Sequence, residues 1–232
     1  MLEITWLGHG SFEFRLPDGA VVVADPWVTG NPAYPAGHQF SRIDLILITH
    51  GHFDHIHDAV PLAKRFQPQV VAIYETCQWL ESKGVANLCA MNKGGTQKAG
   101  PATVTMTHAV HSCGILEDGR IIYGGEACGY IIQAPDGRKI YFAGDTNVFS
   151  DMQLIEQLYQ PELAILPIGD LYTMGPKEAS LAARLLKAKK VIPMHFGTFP
   201  PLTGRPGELA QGIRGLPETE VWALEPGKSV KW

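Results

Sequence analysis

The stretch from Ile46 to Val60, ILITHGHFDHIHDAV, limits what this chain can be more than any other part of it. Four histidines (His50, His52, His55, His57) and two aspartates (Asp54, Asp58) follow an apolar run directly. Imidazole and carboxylate at that density are poor packing material and good ligands for zinc-like divalent ions. A strand ending at Thr49 would deliver the chain to a sheet edge, and Gly51 would let the backbone fold closely there. The plain alternative is a solvated loop that happens to be histidine-rich. Four histidines in eight residues, beside a strand read as buried, count against it. The form H-x-H-x-D-H is also far more specific than a lone H-x-H.

One loop cannot surround an ion, so further ligands must come from distant positions. Three candidates each sit just past an apolar strand: His111 after TVTMTHAV, Asp145 at the end of KIYFAGD, and His195 at the end of KVIPMH. Taken singly, each reads more simply as a turn residue or an ordinary polar side chain. Their shared placement lets all three converge on one sheet edge.

The remaining composition excludes several classes. Of 232 residues, 45% are hydrophobic and 18% charged, the balance of a folded globular protein. The net charge of −4 and the lack of a Lys/Arg stripe argue against a nucleic-acid partner. The opening MLEITWLG lacks the features of a secretory signal, and no apolar stretch approaches the ~18–20 residues of a membrane span. The reading is a cytoplasmic protein acting on a small molecule, with self-association left open. Cys77, Cys89, Cys113 and Cys128 form no C-x-x-C pair and read as buried, reduced thiols. Cys113 stands out because it lies two residues from His111.

Strand character recurs at Glu3–Phe14, Ala20–Ala24, Asp44–Thr49, Val70–Ile73, Ala102–Thr107, Ala127–Ala134, Lys139–Ala143, Leu163–Ile168, Val191–Met194 and Val221–Leu224. Helical periodicity marks Ser150–Gln160 and Pro176–Lys187, and more weakly Asp58–Phe66, Thr76–Lys83 and Gly207–Arg214. Gly-rich, acidic Ser112–Glu126 reads as a mobile rim. This order predicts an α/β (α+β) protein: a four-layer αββα sandwich in a single domain spanning residues 1–232.

The ordered set His50, His52, Asp54, His55, His111, Asp145 and His195 resembles the metallo-β-lactamase superfamily. The segments WLGHGSFEF, VVADPWVTGNP, THGHFDH, AVHS, GDTNVFSDM, GDLYTMGPKEA and VIPMHFGTFP resemble the metal-dependent hydrolases of bacteria and archaea in that superfamily. More remotely they are similar to ascorbate-6-phosphate lactonase and to the phospholipase D acting on N-acyl phosphatidylethanolamine. The resemblance runs over nearly the whole chain. It implies that His50, His52 and His111 hold one ion, that Asp54, His55 and His195 hold another, and that Asp145 bridges both.

His57 and Asp58 fall outside that pattern, and Asp58 is expected to cap the helix that follows. His108, three residues before His111 on an extended strand, is assigned to packing or the surface. His9, read as part of the first strand, is either a neighbour of the site or a half-buried histidine. Asp25, at the end of a strand, is a candidate hydrogen-bond partner for a ligand histidine. Asp170, Thr173, Phe196 and Phe199 are candidate pocket groups, with turn, cap and packing roles as their alternatives.

Two divalent ions ~3.5–4 Å apart can share a water and lower its pKa, making a hydroxide nucleophile. The expected cofactors are therefore two divalent ions, zinc first, with Mn, Fe or Ni also admissible. Asp145 would set their spacing, and Asp54 would hold the hydroxide or move its proton. The function expected is hydrolysis of an ester, lactone or phosphodiester. The alternatives are a diiron redox protein on the same fold and a non-catalytic metal-binding protein.

Overall fold

Alternation along the strands decides which side chains enter the core. The computed structural model describes all residues from Met1 to Trp232. In chain order, β1 (Glu3–Trp6), β2 (Phe12–Arg15), β3 (Val21–Ala24), β4 (Leu45–Leu47), β5 (Gln69–Ile73) and β6 (Leu88–Met91) build the first sheet. β7 (Thr96–Ala99) and β8 (Ala102–His108) begin the second. A separate hairpin, β9 (Gly114–Glu117) and β10 (Arg120–Tyr123), follows. β11 (Cys128–Gln133), β12 (Lys139–Phe142), β13 (Leu163–Pro167), β14 (Lys190–Met194) and β15 (Glu220–Val221) complete the second sheet. β16 (Ser229–Lys231) returns to pair with β1, giving two seven-stranded sheets.

Val22 and Ala24 of β3 face the second sheet, where they join Phe12, Phe14, Tyr130 and Phe142 in a buried inter-sheet core. Val21 and Val23 point the other way, as period-two geometry requires. There α2 (Ala59–Phe66) and α3 (Tyr74–Ser82) cover them, with Ala59, Ala63, Cys77 and Leu80 facing the sheet. α4 (Met152–Tyr159), α5 (Pro176–Leu186) and α6 (Pro206–Gly212) cover the second sheet through Met152, Ile155, Ala182, Leu186 and Leu209. A buried phenylalanine here stabilises the fold by about 1.5–3 kcal/mol, and truncating Phe14 to alanine costs about 3–5 kcal/mol. The four layers are helices, sheet, sheet, helices, as the sequence predicted. No helix is long and apolar enough to cross a membrane.

Two expectations are corrected, and the Gly-rich segment gains a defined element. Glu3–Phe14 is not one strand: Leu7–Ser11 turns the chain, and β1 pairs antiparallel with β2, Ile4 opposite Phe14. Gly8 (φ 89°) and His9 (φ 55°) make that turn, so His9 lies at a strand's end rather than within it. Ser112–Glu126 contains the β9–β10 hairpin, anchored on α3 where Trp79 Nε1 donates to Glu117 Oε2 at 2.6 Å. The cysteines are all free, but Cys89 is only half-buried.

β3, β4, β5 and β6 run parallel, as do β12, β13, β14 and β15. Parallel strands end at the same edge, where the loops of such sheets collect polar groups. Asp25 follows β3, the histidine loop follows β4, Asp145 follows β12 and His195 follows β14.

Candidate metal centre

A change of backbone within the histidine loop sorts its side chains. His52 is extended (φ −68°, ψ 148°), and Phe53–Ile56 then form one helical turn, α1 by position between β4 and α2. Before the turn, His50 and His52 lie side by side, ring centroids 4.6 Å apart. After it, Asp54 turns towards His195, 3.7 Å from its Nε2, and His55 lies between the two groups, its ring 4.2 Å from that of His50 and 5.6 Å from that of His195. Gly51 permits the first half, because a Cβ there would collide with Ile115 of the hairpin. Cys113 also braces it: Sγ accepts the Gly51 N–H at 3.2 Å.

The first cluster is His50, His52 and His111. His52 Nδ1 lies 3.0 Å from His50 Nε2 and 3.2 Å from His111 Nε2. Their outer contacts set the tautomers. The Thr49 hydroxyl donates to Asp25 Oδ2 at 2.6 Å, so it can only accept from His50 Nδ1, 3.0 Å away. His50 Nε2 is then a bare lone pair. Ser112 Oγ stands 3.2 Å from His52 Nε2 and can leave Nδ1 bare in the same way. Lone pairs converging like this repel one another unless a cation lies among them.

The second cluster is Asp54, His55 and His195, with His9 beside it. His55 Nδ1 donates to Asp25 Oδ2 at 2.8 Å, turning its Nε2 towards Asp145 Oδ1 at 3.4 Å. His195 Nε2 lies 3.0 Å from Asp145 Oδ2 and 3.7 Å from Asp54 Oδ2. Nε2 of His55, Nε2 of His195 and Oδ1 of Asp145 are buried with no hydrogen-bond partner. Buried polar atoms are rarely left so, and a shared cation is the partner that suits all three. The donor set therefore fits a divalent metal. Asp145 Oδ2 is also 3.6 Å from His111 Nε2 and 3.9 Å from His50 Nε2, so this carboxylate faces both clusters.

Electrostatics separates the clusters. Burial holds His50, His52 and His111 below the ordinary imidazole range. Burial also opposes charge on His195, but the Asp145 carboxylate outweighs it and raises the imidazole to about 9. His55 is pushed well up by Asp145, Asp25 and Asp54 against the same burial. Asp54 and Asp145 are held well below the usual carboxylate range, because the histidines around them outweigh desolvation.

Backbone strain marks the same place. His9 (φ 55°), Asp25 (φ 46°) and His195 (φ 58°) are all left-handed, at about 1–3 kcal/mol each. Asp25 carries much of the support, since it accepts from His55 Nδ1, Thr49 N and the Thr49 hydroxyl. Thr49 and Ser112 escaped the sequence reading: one adjoins His50 and the other His111, but neighbours in sequence carry no pattern that marks an outer partner.

The other expected residues divide. Phe199 stacks on Trp27 at 5.9 Å and meets the His9 ring edge-on at 5.7 Å, beside the second cluster. Phe196 is partly buried, packing on Trp6 at 5.0 Å at the margin of the inter-sheet core. Polar contacts of Asp170 and Thr173 stay local: Asp170 Oδ1 accepts from Leu171 N, and Thr173 Oγ1 donates to Met174 O. His108 is exposed at the end of β8, where Lys93 Nζ lies 3.2 Å from its Nδ1. Asp58 does not cap α2. Its carboxylate instead accepts from Val28 N, Thr29 N and Thr29 Oγ1 at 2.6–2.9 Å, pinning the loop after β3.

An αββα sandwich with partly buried His/Asp clusters at its strand ends, in a chain so close to known relatives of that activity, is a metal-dependent hydrolase of the metallo-β-lactamase fold. Residues 17–196 match the model of the β-lactamase superfamily domain. The chain belongs to the UPF0173 metal-dependent hydrolase family of that superfamily. It is 73% identical to a metal-dependent hydrolase of that family from Solibacter usitatus over 231 residues, covering 100% of both chains. It is also similar to Igni18, a metallo hydrolase from the archaeon Ignicoccus hospitalis, with TM-score 0.86 and 36% identity over 99% of this chain and 97% of that one. At 17% identity the metallo-β-lactamase fold protein YhfI from Bacillus subtilis shares the fold, with TM-score 0.73 and 100% coverage of each chain.

Proposed function

We propose that this hydrolase works with two divalent ions, zinc first among them, on an ester, lactone or phosphodiester bond of a small molecule in the cytoplasm. His50, His52 and His111 would hold one ion, Asp54, His55 and His195 the other, and Asp145 both. The observation that carries this reading is the position of Asp145, within 3.0–3.9 Å of nitrogens from both clusters. Zinc leads because the donors are mainly imidazole nitrogen with carboxylate oxygen.

Bound there, such ions supply a water of lowered pKa and an electrophile for the oxygen of the scissile group. The chain's own part is positioning. Asp25 and Thr49 keep His55 and His50 in the tautomers that turn Nε2 inward. Asp54, ionised and partly open to solvent, can accept a hydrogen bond from a water beside it and orient that water. The Trp27–Phe199 pair supplies an apolar wall next to these charges.

Elemental analysis of purified protein, followed by assays on lactone, ester and phosphodiester panels with the native metal present, tests the proposal. Two ions per chain and turnover of one of these bond classes are expected. One ion per chain at saturation would overturn the two-ion assignment. Iron with oxygen-dependent turnover and no hydrolysis would favour the redox alternative.

A further inference from the structure

His9 is fully buried and no step above uses it. Its Nε2 lies 2.8 Å from Asp54 Oδ2. A carboxylate without a proton can only accept, so the imidazole donates from Nε2. Its backbone carbonyl accepts twice, from His195 N at 3.1 Å and from Trp6 Nε1 at 2.9 Å. Its ring lies 3.9 Å from the His195 ring, centroid to centroid. The next residue, Gly10, passes so close to His55 that a Cβ would stand 2.5 Å from Cε1 of that ring. One turn thus touches Asp54, His55 and His195, and among the first cluster it makes no such contact.

We infer that His9 is a positioning residue for the second ion alone: its side chain orients Asp54 while its left-handed backbone seats His195. The inference rests on the two-ion reading above. It follows from topology, because the β1–β2 turn lies against the end of β14 and the α1 turn together, tying a ligand from each sheet to one residue. His9 could instead bind the ion itself, since its ring nitrogen lies within 4.8 Å of the ligand atoms of Asp54, His55 and His195. The 2.8 Å contact to Asp54 speaks for donation, because a nitrogen carrying that hydrogen has no lone pair to offer.

Zn²⁺ titration of chelator-stripped, full-length protein tests this, with circular dichroism to follow the fold. Wild type should take up two equivalents. In His9→Ala and His9→Gly the first should bind as in wild type and the second more weakly by on the order of 10–100-fold, the usual effect of losing a ligand's hydrogen-bond partner. The glycine variant keeps the left-handed backbone free of strain, so it isolates the side chain even if the alanine variant folds poorly. His9→Gln should recover most of the second affinity, because its amide N–H can still donate to Asp54.

Unchanged affinity for both equivalents in the alanine and glycine variants overturns the inference. So does equal weakening of both equivalents, or unfolding of both variants. Failure of His9→Gln to recover any affinity makes His9 a ligand and overturns the positioning role. A single equivalent in wild type sinks the two-ion reading itself, a result separable from every variant outcome.

Discussion

The two clusters contain similar side chains in opposite electrostatic states. Around His50, His52 and His111 burial dominates, and all three imidazoles are neutral at neutral pH. Around His55 and His195, the carboxylates of Asp25, Asp54 and Asp145 outweigh burial and keep protons on the rings. Without a cation, one half would be a set of converging lone pairs, while the other would hold protons where an ion would sit. The difference comes from chain path: a single helical turn sends Asp54 and His55 towards the edge where β12 and β14 end.

The severest way to break this contrast is to remove the group both halves share. Asp145→Ala should loosen both ions together and lower activity by ~10³-fold or more, at least the upper scale for losing one preorganised hydrogen-bond donor at a reacting centre. Elemental analysis beside a hydrolysis assay measures both. Retention of both ions and of activity would defeat the bridging assignment. Loss of the second ion alone would place Asp145 with His195, the nitrogen it approaches most closely at 3.0 Å.

Protons give a smaller effect of known sign. His195 is raised from its ordinary 6.5 to about 9. Its proton therefore stabilises the metal-free fold fully below pH 6.5, and that contribution disappears as the pH rises through about 9. An ion must displace that proton, so affinity for the second equivalent should climb with pH towards 9, whereas the first should change little above pH 7. Calorimetry in buffers of different ionisation enthalpy reads this as proton release confined to the second equivalent. Equal release by both would erase the distinction between the clusters.

These states were not legible in the sequence, although the side chains were. That these side chains gather in one place could be read because they stand in one H-x-H-x-D-H loop or just past an apolar strand, patterns local to their own segments. The layers were equally readable, since Ile46–Ile48 and Leu163–Ile168 are continuously apolar, as strands covered on both faces are. What escaped depends on tertiary contact. The turn at His9 looked like strand because Gly8 and Gly10 flank it without any proline or Asn-Gly signal. The β9–β10 hairpin was hidden by the glycines and acids around Ile115 and Ile121. Asp58 has the residue type and position of a cap, but the loop after β3 offers it two backbone N–H groups and a hydroxyl, and that competition wins.

His57 supplies the smallest expected effect and the sharpest control. It stands two residues from His55, and on a helical turn residues two apart do not share a face. His55 is accordingly buried against Asp25 and Asp145, while the His57 side chain is 46% exposed, with Nδ1 3.2 Å from Asp58 Oδ2. His57→Ala should leave metal content at the wild-type level and change stability by no more than about 0.5 kcal/mol. Asp58 keeps its contacts to Val28 and Thr29 without the imidazole, so the loop beneath should hold. Elemental analysis and thermal melts of the variant check both points. Loss of one ion per chain would mean that the turn after His52 does not sort the loop, and the two clusters would no longer owe their difference to chain path.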